Sequence, residues 1–180
     1  MTSSVAPPVS SNPVSSNPVS SDIHRSLAAA DGPRHFRLRP PAPIRLLTAS
    51  WDRTHNPPRA LSGHVAIEYP ITTAVVATRN LYAVTDDLRS ALEASELTGF
   101  TFGALAATRD RHLLTHCDTE PTATPRLHTL VLTGRACCAD IAPWRCDSLA
   151  LSRAAATFLW RHDPSLLAFT HVLDLPSSLA

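Results

Sequence analysis

The chain has 180 residues, 44% of them hydrophobic, which suits one globular domain with a core of its own. Its 16 basic and 15 acidic side chains leave a formal charge of +1, so no whole-protein field gathers nucleic acid or an anionic membrane, and neither is an expected partner. The N-terminal sequence lacks the basic and apolar regions of a secretory signal, and Arg79, Arg153 and Arg161 interrupt the longest apolar stretches, so the expected location is the cytoplasm with its cysteines reduced.

Residues 9–21 read VSSNP, VSSNP, VSS, in which each Asn-Pro step opposes helix and the serines offer nothing to bury. Residues 1–34 are therefore expected to form a disordered tail, with a transient helical turn over 22–30 that Asp22 would begin. Residues 35–180 are expected to form a single α+β domain. Phe36 and Leu38 alternate with Arg37 and Arg39 until Pro40 and Pro41 stop the strand, and 44–48 is a second strand candidate. Asn56, Pro57 and Pro58 mark a turn, after which 64–69 resumes an alternating pattern.

Leu81 to Val84 is a short apolar run, Thr85 is placed to cap a helix, and Asp86 and Asp87 put negative charge at the helix start. Leu88, Ala91, Leu92 and Ser95 share a helical face, Gly99 permits a tight exit, and Phe100, Phe102 and Leu105 read as one exit strand. The polar residues 109–124 read as a loop, and 127–132 is the best buried-strand candidate. A second unit follows, with Leu149 to Leu151 apolar, Ser152 as cap, Ala155, Phe158 and Leu159 at helical spacing, and Leu167, Phe169 and Val172 as exit strand. Thr85 and Ser152 are 67 positions apart, and the same offset pairs Leu92 with Leu159 and Phe102 with Phe169. Two readings fit: a duplicated strand-helix-strand unit, or two ordinary units that share apolar positions because each buries one helix face. The expected architecture is a mixed β-sheet with two principal helices packed on it, contributing Leu88, Leu92, Phe158 and Leu159 to the core.

Chemistry is sparse in this pattern. Cys137, Cys138 and Cys146, with His112, His116 and Cys117 upstream, have the elements of a zinc site but not the two-residue spacing that closes a knuckle, so no metal is expected. A thiol nucleophile at Cys137 or Cys138 would need His128 and Arg135 beside it. With five glycines, no phosphate-binding loop, dinucleotide fingerprint or nucleophile elbow can be assembled, and neither a cofactor nor a catalytic residue is assigned. Asp52 and His55 beside Trp51 read as a surface loop rather than an acid/base pair. Arg34, His35, Arg37 and Arg39 with Phe36 interleaved have the composition of a base-stacking site, but read more simply as an edge strand with a charged face in water. Trp160 falls in a helix and reads as core. Trp51, Trp144 with the adjoining Arg145, and Arg135 are the candidate partner-binding residues, since aromatic and Arg side chains dominate buried contacts.

Residues 81–105, LYAVTDDLRSALEASELTGFTFGAL, resemble a segment of the immunity proteins of bacterial polymorphic toxin systems, in which a strand ending in Val-Thr leads through an amphipathic helix to a Leu-Thr-Gly turn. The Leu-Thr-Gly-Arg ending of 130–135 and the unit over 149–173 resemble further elements of that group, while Ala142, Pro143, Trp144 and Arg145 stand where its pattern has an acidic Trp-Asp-Gly-type segment. The resemblance implies a small cytoplasmic protein that neutralises a cognate toxin domain by occluding it, with no chemistry of its own. The alternative is a small cysteine- or zinc-dependent enzyme using Cys137, Cys138, Cys146 and His128.

Overall fold

The structure, a computed structural model, describes residues 34–110, 125–145 and 147–173. The repeat over 9–21, the turn expected over 22–30, and His112, His116, Cys117 and Cys146 lie outside the described residues. In chain order the elements are β1 (His35–Leu38), β2 (Ile44–Asp52), β3 (Arg59–Ile67), β4 (Val75–Thr78), β5 (Leu81–Thr85), α1 (Asp86–Glu93), β6 (Phe100–Gly103) and β7 (Leu105–Arg109). They continue with β8 (Leu127–Leu132), β9 (Ile141–Trp144), β10 (Ser148–Ser152), α2 (Arg153–His162), a 3-10 turn (Pro164–Phe169) and β11 (Thr170–Val172). The class is α+β, as expected, but the strands divide among three sheets rather than one.

Two of the sheets are built alike. Antiparallel strands run in the order β4-β5-β8-β6 in one and β9-β10-β1-β11 in the other. Each is a hairpin leading into a helix and an exit strand, with one further strand inserted between hairpin and exit. Tyr82 and Val84 of β5 face Leu130 and His128 of β8; Leu149 and Leu151 of β10, 67 positions later, face Leu38 and Phe36 of β1, 92 positions before those partners. The amide of the first helical residue is bonded alike in both, Asp86 N to the Arg126 carbonyl at 3.2 Å and Arg153 N to the Arg34 carbonyl at 3.0 Å. The spacing seen in the sequence therefore reflects a repeated architecture. Its inserted strands are exchanged: β1, from the first half of the chain, completes the sheet of the second hairpin, and β8, made later, completes the sheet of the first.

One core joins both units. It gathers Phe36, Leu38, Val84, Leu88, Leu92, Leu130, Leu149, Leu151 and Leu159, with the Phe36 and Trp160 rings edge-to-face at 5.3 Å. The opposite face of the β4-β5-β8-β6 sheet buries Val76, Leu81, Ala83 and Leu127 against Ile44, Val65 and Ile67 of the third sheet, β2-β3-β7. Burial on both faces is why 81–84 reads as a continuous apolar run without alternation.

The structure revises several local expectations. The strand at 36–38 is interior, between β10 and β11, so Phe36 is fully buried and is not a stacking platform. Its outward neighbours are neutralised in part by Asp147, 2.9 Å from Arg39 and 3.8 Å from Arg37. Thr85 has N-cap backbone geometry, yet its hydroxyl does not cap α1; Ser152 does cap α2, accepting the Ala155 amide at 3.1 Å. Helix α1 ends at Glu93, leaving Ser95 beyond it. The single exit strand expected through Phe100, Phe102 and Leu105 is broken at Ala104, because Gly103 lies so close to the Leu61 carbonyl that a Cβ there would sit 1.8 Å from it. The chain turns at that corner, and β7 leaves to run parallel to β3. Leu167 and Phe169 belong to the 3-10 turn that Pro164 initiates, not to the exit strand. Ile141–Trp144, for which no strand was expected, forms β9, and Pro143 is tolerated because β9 is a sheet-edge strand.

Candidate partner-binding groove

At the tip of the β2–β3 hairpin Asp52 organises the turn. Its Oδ1 accepts the Thr54 hydroxyl at 2.6 Å and the Thr54 amide at 2.9 Å, and its Oδ2 lies 3.0 Å from His55 Nδ1. These bonds, led by the Thr54 hydroxyl, hold the Asp52 carboxyl below the usual aspartate range. In the structure the pair braces the exposed turn between β2 and β3. The braced loop, with Pro57 after a cis peptide bond, sits beside the segment that follows β8.

That segment is fixed by backbone bonds. The amides of Thr133 and Gly134 both donate to the Gly99 carbonyl at 2.9 Å, and Gly99 itself has φ of 97°. A Cβ on Gly99 would lie 2.1 Å from the Ile141 carbonyl, so the close approach of β9 to this turn requires glycine. Cys138 N and Ala139 N then close on the Arg135 carbonyl at 3.1 Å, which leaves the exposed Arg135 side chain at the start of a turn. On the far side of β9, Arg145 occupies the hairpin turn to β10 with a left-handed backbone, φ 59°.

Between these segments runs a groove made of two adjoining depressions that share Pro57, Arg59 and Pro143. The larger is lined by His55, Gly134 and Arg135; the other, only about 20 Å³ in volume, lies between Asn80 and Arg145 above the buried Tyr82, Leu130 and Leu132. The floor is rigid: these three side chains are buried, and the Tyr82 hydroxyl donates to the Ser148 carbonyl at 3.0 Å. No carboxylate lines either depression. Among the described residues Arg37, Arg39, Arg45 and Arg89 each have an ion pair, whereas Arg59, Arg135 and Arg145, like Arg34, Arg53, Arg79, Arg126 and Arg161, have none.

No protein-family model, curated protein or solved structure matches this chain.

Of the four candidate contact residues, Arg135 and Arg145 each line one of the two adjoining depressions, and Trp144 and Trp51 line neither. Trp144 is half-buried and faces Ser148 across the β9–β10 pair, on the side of the sheet that also buries Ala142 and Ala150 rather than in the groove. Trp51 is half-buried against the second core, opposite Ala60. Arg59 was missed by sequence reading, since its role depends on a hairpin that folds beside residues about 80 positions later.

The elements of the alternative enzyme reading are spread apart. His128 is the second residue of β8 and Cys137 lies beyond its other end, so the strand alone separates them by about 13 Å. Among the described residues no group of three or more His, Cys, Asp or Glu side chains is placed to hold a metal. His128 instead joins α1 to the sheet, with Nε2 2.7 Å from Asp86 Oδ1 and Nδ1 3.4 Å from an Arg89 nitrogen. Arg89 also bonds Glu93 at 3.0 Å and lies 5.9 Å from the Phe102 ring centroid. No described helix is long and apolar enough to cross a membrane.

Proposed function

We propose that this chain is a non-catalytic binding protein of the immunity type, which acts in the cytoplasm and protects its producer by occluding the active surface of a cognate toxin domain. The observation that carries the reading is that Arg135 and Arg145, both exposed and outside any ion pair, line two adjoining depressions that share Pro57 and Arg59 of the β2–β3 hairpin. Exposed guanidinium groups beside proline-lined depressions suit a contact surface, where Arg side chains carry a large share of affinity. The resemblance to immunity proteins supports the same reading, since the segments that carry it coincide with the two hairpin-helix-strand units.

The direct test is co-expression with the C-terminal domain of a large secreted protein encoded beside this chain. Rescue of growth together with a stoichiometric complex on gel filtration is the expected result. A domain that stays toxic and elutes separately from the folded protein would remove the occlusion reading.

A further inference from the structure

We propose that residues 22–31 of this chain dock as a short helix, antiparallel to α2, in the groove between α2 and the segment that follows α1. This groove is separate from the surface assigned to a toxin domain and holds about 830 Å³. Arg153, Ala154, Thr157, Phe158 and Arg161 of α2 form one wall, and Ser95, Glu96 and Leu97 form the other. Phe158 and Leu97 pack on the core yet are only half-buried, which leaves apolar surface within the groove.

The path of the chain selects the occupant. β1 runs antiparallel to β10 with His35 opposite Ser152, and the Arg34 carbonyl accepts the Arg153 amide at 3.0 Å. The chain before β1 therefore passes the first turn of α2, at the end of the groove that Arg153 lines. Only Gly32 and Pro33 lie between Arg34 and Asp31. The sequence behind them has a helix signal marked at both ends: Asp22 suits the N-cap, Ile23, Leu27 and Ala30 share one face, and Gly32 with Pro33 forms a stop. Arg25 falls on the opposite face, toward water. In such a helix Asp22 and Asp31 stand about 13.5 Å apart, and Arg153 and Arg161 are separated by about 12 Å along α2. The antiparallel run brings Asp31 to Arg153 and Asp22 to Arg161, with Leu27 and Ile23 over Phe158 and Leu97. Asp31 stands in the last turn, where a negative charge opposes the helix dipole, so a neighbouring cation matters most there. Of the two carboxylates in the lining, Asp140 is engaged by Ser152 and Thr98, and Glu96 is the one that His24 would meet. A second copy or a foreign peptide would have to displace a segment tethered by two residues, whose effective concentration is millimolar or above.

The test is NMR on the isotopically labelled full chain. Nuclear Overhauser contacts between the Leu27 methyl groups and the Phe158 ring are expected. Backbone relaxation over 23–30 should resemble that of α2, and amide exchange there should be about tenfold or more slower than in the repeat over 9–21. The double variant Ile23→Asp, Leu27→Asp should abolish the contacts and shift the Leu97 and Phe158 signals, while unmoved signals from β5 and β8 show that the domain is folded. Arg161→Glu should weaken the protection, and Asp22→Arg added to it should restore it. Relaxation over 22–31 that matches the repeat, or contacts from Leu27 to another face, would overturn the proposal. So would contacts that grow with protein concentration, which would come from a second copy, and Leu97 and Phe158 signals that stay in place in the double variant.

Discussion

Arg79 and Arg145 occupy the same position in two hairpins, directly after Thr78 and Trp144, and both hold a left-handed backbone, with φ of 50° and 59°. A left-handed residue with a side chain costs roughly 1–2 kcal/mol, and glycine removes that cost while adding entropy to the unfolded chain. Arg145→Gly should therefore raise stability by roughly 0.5 kcal/mol in chemical denaturation and weaken partner binding in the same sample. A variant that loses stability would mean that the guanidinium supports the fold, and the contact role of Arg145 would fall with it.

The two helices make a matched pair of predictions. Leu92 and Leu159 are 1% and 2% exposed within the shared core. Truncating either to Ala should cost about 2–5 kcal/mol, read as a shift in denaturation midpoint at constant slope. A loss below about 0.5 kcal/mol at either site would contradict the burial assigned to that helix.

The capping residues should behave unequally. Ser152 accepts the Ala155 amide and donates to Asp140 Oδ1 at 2.6 Å, whereas the Thr85 hydroxyl makes no cap bond. Ser152→Ala is expected to cost roughly 1–2 kcal/mol and Thr85→Ala less than about 0.5. Equal losses would show that Thr85 caps in solution.

Asp140 is the group through which acid should act. Burial alone would raise its carboxyl, but bonds from the Ser152 hydroxyl and from the hydroxyl and amide of Thr98 outweigh that and hold it below the usual aspartate value. A carboxyl depressed in the folded state adds stability that is complete above its unfolded value of about 3.9 and is lost as pH falls through the lower folded value. Unfolding measured below about pH 5 should thus show a shallower acid limb in Asp140→Asn than in the parent chain. Identical limbs would exclude the linkage.

Trp144, half-buried on β9 and outside the groove, tests whether a contact surface extends beyond the arginines to the β9–β10 hairpin. Trp144→Ala should weaken binding of a toxin domain by about 2 kcal/mol or more while moving the melting midpoint little. Stability and affinity that fall together would assign the ring to the fold instead.

Local signals carried much of this fold. The runs at β5, β8 and β10, the acidic start of α1 and the Ser152 cap are each set by neighbours in sequence, and each was read from the sequence. Other features depend on distant segments. Nothing near Phe36 announces that β10 and β11 will flank it, and the corner at Gly103 exists because Leu61 is there to be approached. Pro143 masked β9, since a proline is acceptable only once the strand is known to be at an edge. Arg135 and Arg145 were visible as contact candidates for their chemistry, but the groove that unites them needed the Pro57 hairpin, which only the tertiary fold brings near.

The exchanged strands also bear on synthesis. β1 leaves the ribosome first, yet its neighbours β10 and β11 are among the last segments to emerge, with Phe36 waiting for Leu151 and Val172. Until then one sheet lacks its middle and an apolar strand has nowhere to go, which is the condition under which nascent chains recruit holdase chaperones. The segment made first is thus secured last, and a ribosome stalled anywhere before β10 would display Phe36 and Leu38 rather than a half-finished but self-contained domain.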